Sequence, residues 1–237
     1  MSQQVAIVVP VFNPKADWLG ILMNRYNELK AALRHLDFNL HIVNDGSGSG
    51  IQGSEVEASL QQLSDVFWHT YPENQGKGFA LRYGIQRAHQ PIIIYTDVDL
   101  PFELESMVAV IDALQQNDVA VGVKDASYYS KLPLQRRIIS KTLQRLIRIV
   151  YPKLLTSDTQ CGLKGMNAAG KAVFLKTQTN RYLFDLEFVF MLSRTTLKQC
   201  TVPVKLRPGV VFSQMNTRVL LQELNNFFRI LLKGAKY

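Results

Sequence analysis

Long apolar runs are missing from this chain of 237 residues. No stretch of roughly 18 consecutive apolar residues occurs, so no transmembrane helix is expected. Residues 1–12 lack a basic leader followed by an apolar segment, so no signal peptide is expected either. Cysteine is scarce. Cys161 and Cys200 are too few for a disulfide framework or a zinc site and read as two reduced thiols. Acids are also in short supply, with 19 Asp and Glu against 27 Lys and Arg and a formal net charge of +8. The expectation is a cytoplasmic protein, soluble or peripheral on the membrane face, with an anionic partner. Core material, by contrast, is abundant. Hydrophobic residues make up 47% and charged residues 19%, which excludes a disordered chain and supplies one large domain. No repeat, low-complexity tract or linker interrupts the chain, so residues 1–237 read as a single domain.

The positive charge is local. Residues 126–157 hold seven basic side chains (Lys131, Arg136, Arg137, Lys141, Arg145, Arg148, Lys153) and no acid. Residues 205–237 hold six and one acid, Glu223. The two segments together carry +12, which leaves the remainder at −4. Both read as amphipathic helices. In 134–150, Ile138, Leu143, Leu146, Ile147 and Val150 recur near helical spacing with cations between them. In 215–233, Leu220, Leu221, Leu224, Phe227, Phe228, Leu231 and Leu232 recur at three and four. Such helices either lie in an anionic membrane interface or are ordinary helices with one core face and one solvated face. Nucleic acid is not expected as a partner, because no glycine–aromatic or helix-turn-helix signature is present.

The first half alternates short apolar runs with helical patterns. Strands are expected at 5–11, 38–43, 66–70, 91–96 and 119–123, and helices at 18–36, 56–63, 78–88 and 104–115. This alternation predicts an α/β fold with a mostly parallel sheet covered on both faces. Ligands of such sheets bind at the carboxyl ends of the strands, and the polar motifs here follow strand ends.

Asp97-Val98-Asp99 follows the run Ile92-Ile93-Ile94-Tyr95. Two carboxylates one residue apart at a strand end suit a hard divalent cation such as Mg²⁺ or Mn²⁺, completed by substrate phosphates. The same triplet could be a solvated turn. Asp45 ends the second strand before a Gly/Ser-rich turn, where it could accept a bond from a ribose or base N–H or serve the turn itself. Asn74-Gln75-Gly76-Lys77-Gly78 opens a helix, and its glycines would let backbone approach a phosphate. It does not have P-loop spacing. Asp158, in Asp158-Thr159-Gln160-Cys161-Gly162, is the first acid after 32 residues without one. It suits a site, a helix cap or a partner for a nearby cation. Asp185 and Glu187 stand two apart, so on a helix only one of them is expected to face a site.

In order along the chain, Pro10-Val11-Phe12-Asn13, Val43-Asn44-Asp45-Gly46-Ser47, Asn74–Gly78, Asp97-Val98-Asp99, Asp158–Lys164 and Arg181-Tyr182-Leu183-Phe184-Asp185-Leu186-Glu187 form a series. That series resembles the family 2 glycosyltransferases of GT-A fold over roughly residues 4–205. The last two stretches look most like the dolichyl/polyprenyl-phosphate glucosyltransferase branch. The resemblance implies a metal-dependent hexosyltransferase using a nucleotide-sugar donor, a UDP-sugar such as UDP-glucose. It implies that Pro10, Phe12 and Lys77 line the donor site and that Asp45 contacts the nucleobase or ribose. Asp97 and Asp99 would hold the metal–diphosphate, with Asp99 as the direct ligand. Lys124, Arg136 and Arg137 occupy places comparable to those that hold the lipid phosphate in the related mannosyl branch. Departures are Phe12 and Pro14 for the usual Tyr and Glu, Asn44 for Asp, Ser49 for a later acid, and the lack of membrane-spanning segments.

The implied reaction is inverting transfer of a hexose. A phosphate acceptor has a second pKa of about 6 and needs cations for positioning, not a base. A glycan or protein hydroxyl would need a general base, for which Asp158 and Asp185 are the candidates. The cationic run 131–148 favours the phosphate. A nucleotide-sugar-binding protein without transferase activity, and a membrane or nucleic-acid adaptor on an inert fold, are the remaining alternatives.

Overall fold

The computed structural model describes residues 3–48, 54–125, 128, 134–181 and 183–210. The elements run β1 (Gln3–Val11), α1 (Trp18–Ala32), β2 (Leu36–Asp45), α2 (Ser54–Gln61), β3 (Val66–Tyr71), α3 (Lys77–Arg87), β4 (Ile92–Tyr95), α4 (Leu104–Ala113) and β5 (Val119–Lys124). They continue with α5 (Leu134–Val150), β6 (Lys164–Met166), α6 (Ala168–Phe174), α7 (Phe184–Leu192) and β7 (Gln199–Val204). The expected helix at 215–233, and Ser49 of the glycine-rich turn, lie outside the described residues.

β1 shows why the sheet is buried on both sides. Its residues alternate between two apolar layers, as the period of two in a strand requires. Val5, Ile7 and Val9 face a layer made by α1 (Trp18, Leu22, Tyr26, Leu29) and α4 (Met107, Val110, Ile111). Ala6 and Val8 face the other, made by α3 (Ala80, Leu81, Ile85), α6 (Phe174) and α7 (Phe184, Phe188, Val189, Leu192). A strand covered twice needs no polar face, which is why β1 and β4 read as continuous apolar runs.

The sheet order is β3-β2-β1-β4-β6-β5-β7. All pairings between these strands are parallel except those of β6, which runs antiparallel to both β4 and β5. Because β6 is reversed, the residues before it lie at the same edge as the residues after β4 and β5. That reversal brings 158–163 beside Asp97 and Lys124. The mostly parallel α/β sheet expected from the sequence is present.

The expected helix at 18–36 ends earlier, at Ala32. Leu33 and Leu36 keep helical spacing but are buried in the turn and at the start of β2. Among the described residues no helix is long and apolar enough to cross a membrane. Cys161 and Cys200 are free. Burial raises the Cys161 thiol to about 11, so it is unreactive.

Candidate active site

The sequence motifs meet at the carboxyl edge of β1, β2 and β4. Asp45, at the end of β2, is 3% exposed, and both of its carboxylate oxygens accept bonds from protein. Oδ1 accepts from Tyr71 Oη at 2.8 Å and Gln75 N at 2.7 Å. Oδ2 accepts from Asn74 Nδ2 at 2.8 Å and Gly76 N at 3.0 Å. In this structure Asp45 therefore shapes the loop that opens α3. Gly76 sits in that loop at φ +98, a conformation natural to glycine, and a Cβ there would meet the Asn180 carbonyl oxygen at 2.6 Å. The Gly78 N–H donates to that same oxygen at 2.7 Å, so the loop is docked on residues 179–181. Pro10 pairs with Val43 in the β1–β2 ladder. Phe12 follows it, 49% exposed at the mouth of this edge. Asn13 locks β1 to the next turn, since its N–H donates to Ser47 Oγ at 3.1 Å and its Oδ1 accepts from Gly48 N at 3.1 Å.

Asp97 and Asp99 follow β4. The Lys77 ammonium, at the first position of α3, pairs with Asp97 Oδ1. On another side of Asp97, a Cβ on Gly162 would stand 2.7 Å from Oδ2, so only glycine fits there without moving the carboxylate. The Asp99 carboxyl is raised from its ordinary value, by burial first and then by the negative charge of Asp97. Arg25 and Lys77 pull it the other way. The burial and neighbouring negative charge that hold the Asp99 carboxyl up are what a divalent cation would relieve, and both carboxylates offer hard oxygen donors. Among the described residues no group of three or more His, Cys, Asp or Glu side chains is arranged to hold a metal.

Lys124, at the end of β5, is held by Asp158. Its N–H donates to Asp158 Oδ2 at 2.7 Å and its ammonium to Oδ1 at 3.1 Å. Deeper still, the fully buried Lys164 ammonium donates to Asp185 Oδ1 at 2.6 Å and to the carbonyls of Thr159 at 3.0 Å and Cys161 at 2.7 Å. Tyr95 Oη donates to the same Asp185 oxygen at 2.6 Å. Asp185 is thus an interior partner of Lys164, away from any open surface. Glu187 is interior as well, accepting from the N–H groups of Gln178 at 2.9 Å and Thr179 at 2.7 Å. Both carboxylates of the pair turn into the interior. α7 is covered all round, so both faces are buried.

Arg136 and Arg137 stand on the first turn of α5. Among the described residues no hydrogen bond or ion pair joins Arg137 to these carboxylates. Sequence reasoning missed Tyr71, Tyr95 and Arg25. None of the three belongs to a motif that the sequence offered as a site.

Residues 6–177 match the family model described as "Glycosyl transferase family 2". The chain belongs to that family. As a family 2 glycosyltransferase it is 25% identical over 215 residues to a dolichyl-phosphate beta-glucosyltransferase of Trichomonas vaginalis, covering 85% of this chain and 65% of the relative. It is 27% identical over 208 residues to the human dolichyl-phosphate beta-glucosyltransferase, covering 80% and 63%. The chain thus spans about two thirds of the length of these curated relatives. In structure it resembles the mannosyltransferase PcManGT of Pyrobaculum calidifontis, solved with GDP-Man and Mn²⁺, with a TM-score of 0.60 at 16% identity. That match covers 84% of this chain and 54% of the other, and it shows the GT-A fold expected from the motifs.

Proposed function

We propose that this family 2 glycosyltransferase moves a hexose from a nucleotide-diphosphate sugar, UDP-glucose in the first instance, to a polyprenyl-phosphate-type acceptor with inversion. The observation that carries the reading is the convergence on Asp97. The D-x-D pair, Lys77 at the start of α3 and Gly162 of the Asp-Thr-Gln-Cys-Gly stretch meet at one strand end. The names of the curated relatives support the acceptor class. Lys77 and the loop shaped by Asp45 would bind the donor's anionic half. Asp97 and Asp99 would hold Mg²⁺ or Mn²⁺, which when bound supplies Lewis-acid stabilisation to the leaving diphosphate. Pro10 and Phe12 line the donor side. Lys124, tied to Asp158, with Arg136 and Arg137 beyond it, would position the acceptor phosphate. Asp185 supports Lys164 from the interior, which leaves Asp158 as the acid nearest the acceptor side.

The acceptor class brings the enzyme to a membrane surface, and α5 is suited to one. Ile138, Leu146 and Ile149 are 56%, 42% and 76% exposed, while Lys141, Arg145 and Arg148 are exposed on the same helix. Exposed apolar groups beside cations are the composition of an anionic interfacial helix.

Labelled UDP-glucose, Mn²⁺ or Mg²⁺ and a short-chain polyprenyl phosphate test the reaction, with Asp99→Asn as control. Label entering the organic phase with the wild type and not with the variant is the expected result. UDP release without lipid product would overturn the acceptor, and neither product would overturn the donor.

A further inference from the structure

Leu100, directly after the D-x-D pair, has φ +42 and is 2% exposed. The left-handed region costs an L-residue with a Cβ roughly 1–2 kcal/mol, and glycine or asparagine normally occupies it. The other described non-glycine residue at positive φ is Asn13, whose own side chain bonds the neighbouring turn. Leu100 has no such group. Its conformation is imposed from outside. Its N–H donates to the Asp97 carbonyl at 2.9 Å, closing the turn, and its side chain is buried in the layer formed by α1 and α4. The remaining hold comes from Arg25, half-buried on α1 and 75 residues away in sequence. Its Nη1 donates to the Asp99 carbonyl oxygen and, at 3.4 Å, to that of Leu100.

We propose that Arg25 is the positioning residue of the D-x-D turn. Its guanidinium clamps the backbone carbonyls of Asp99 and Leu100 and so holds the left-handed turn that presents Asp97 and Asp99 to the metal–diphosphate. The inference rests on the roles given to those two carboxylates above. Arg25 acts through the backbone and does not touch substrate. Both bonds come from the one nitrogen Nη1, whose direction is fixed by the planar guanidinium, whereas a lysine ammonium is a point charge on a flexible stem. Charge alone is therefore not sufficient.

Two measurements test the clamp. The first is amide hydrogen exchange at residues 97–102 in protein free of metal and nucleotide. Arg25→Gln and Arg25→Lys are expected to accelerate it about 5- to 30-fold there, the equivalent of the left-handed cost, and to leave β1 and β2 unchanged. Unchanged exchange at 97–102 overturns the clamp. The second is the affinity for Mn²⁺–UDP by calorimetry. Both Arg25 variants are expected to lose about 5- to 30-fold in the wild-type background and no more than about twofold in a Leu100→Gly background, where the turn needs no clamp. Leu100→Asn, which also tolerates the left-handed region, serves if the glycine variant does not fold. Full affinity in Arg25→Lys, or an equal loss in both backgrounds, overturns the proposal in favour of a direct electrostatic or merely structural role. Absence of Mn²⁺–UDP binding in the wild type would instead overturn the roles of Asp97 and Asp99, and the exchange measurement would still decide the clamp.

Discussion

Gly162 approaches Asp97 so closely that a single methyl group has nowhere to go except into the carboxylate. The atom it would meet is the free end of a side chain, so Gly162→Ala costs the fold little and displaces Asp97 instead. Transfer is expected to fall about 100-fold, as misplacement on the scale of 1 Å does, with the melting temperature near that of the wild type. Gly20→Ala in α1, where a Cβ meets nothing within 4 Å, is the control and should keep full activity. A kinetic assay beside a thermal melt separates the two. Lys164 is the opposite case. Lys164→Met leaves the buried Asp185 carboxylate without its cation, and a loss of about 3–5 kcal/mol in urea unfolding is expected. Lys164→Met with Asp185→Leu should recover much of that loss, because two apolar groups replace a desolvated pair. The burial of Lys164 was not legible in the sequence. A lysine belongs at the surface by default, and only the fold shows that three acceptors converge on this one.

At the scale of elements, hydrophobic period located every strand and helix from β1 to β5, and α5, within a few residues. Most of them carry a buried face, and α5 shows its period through spacing alone, since Ile147 is the buried side chain among its described residues. β6, α6 and β7 escaped notice. β6 is three residues long, with a lysine and a glycine in it, and α6 has seven, too few for a period to show. What defines α6 is its cap. Asn167 Oδ1 accepts from Ala169 N at 2.9 Å and Gly170 N at 3.2 Å. Asn167→Ala is expected to destabilise the protein by about 1 kcal/mol, measured as a shift in urea midpoint. On α5 the exposed isoleucines predict adhesion to lipid. Wild-type protein should pellet with phosphatidylglycerol vesicles at low salt and less at high salt, since each cation near such a surface is worth about 1 kcal/mol. Ile138→Asp with Ile149→Asp should abolish pelleting without changing the fold. Equal pelleting of that variant would mean α5 is an ordinary solvated helix.

For the molecule as a whole, the site was legible as a list of motifs but not as a set of contacts. The order of Asp45, Lys77, Asp97, Asp158 and Asp185 in the chain pointed to one edge of a sheet. Which of them face a ligand and which hold the walls depends on packing that no motif contains, as the interior placement of Asp185 shows. Global stability has its own proton switch, away from this site. His41 is lowered to about 4, mainly by burial and then by neighbouring His69, whose Nε2 lies 3.0 Å from His41 Nδ1. Above the ordinary value of 6.5 it is neutral in both folded and unfolded chains, and its contribution is complete. As pH falls from 6.5 to 4 the unfolded chain takes a proton that the folded one refuses, so stability declines by on the order of 3 kcal/mol. Urea titrations across that range should show the slope, and His41→Phe should reduce it, leaving the part due to His69, which burial lowers as well. The reversed strand β6 has a different consequence. Among the described strands it alone joins the half of the sheet that ends in the Asp45 and Lys77 loops to the half that leads into α5, and it makes three residue pairings on each side. Both apolar layers run across that narrow seam, joining Ile7 to Ala120 and Val202 on one face and Val8 to Val121 on the other, so the two halves are expected to melt together although few backbone bonds stitch them.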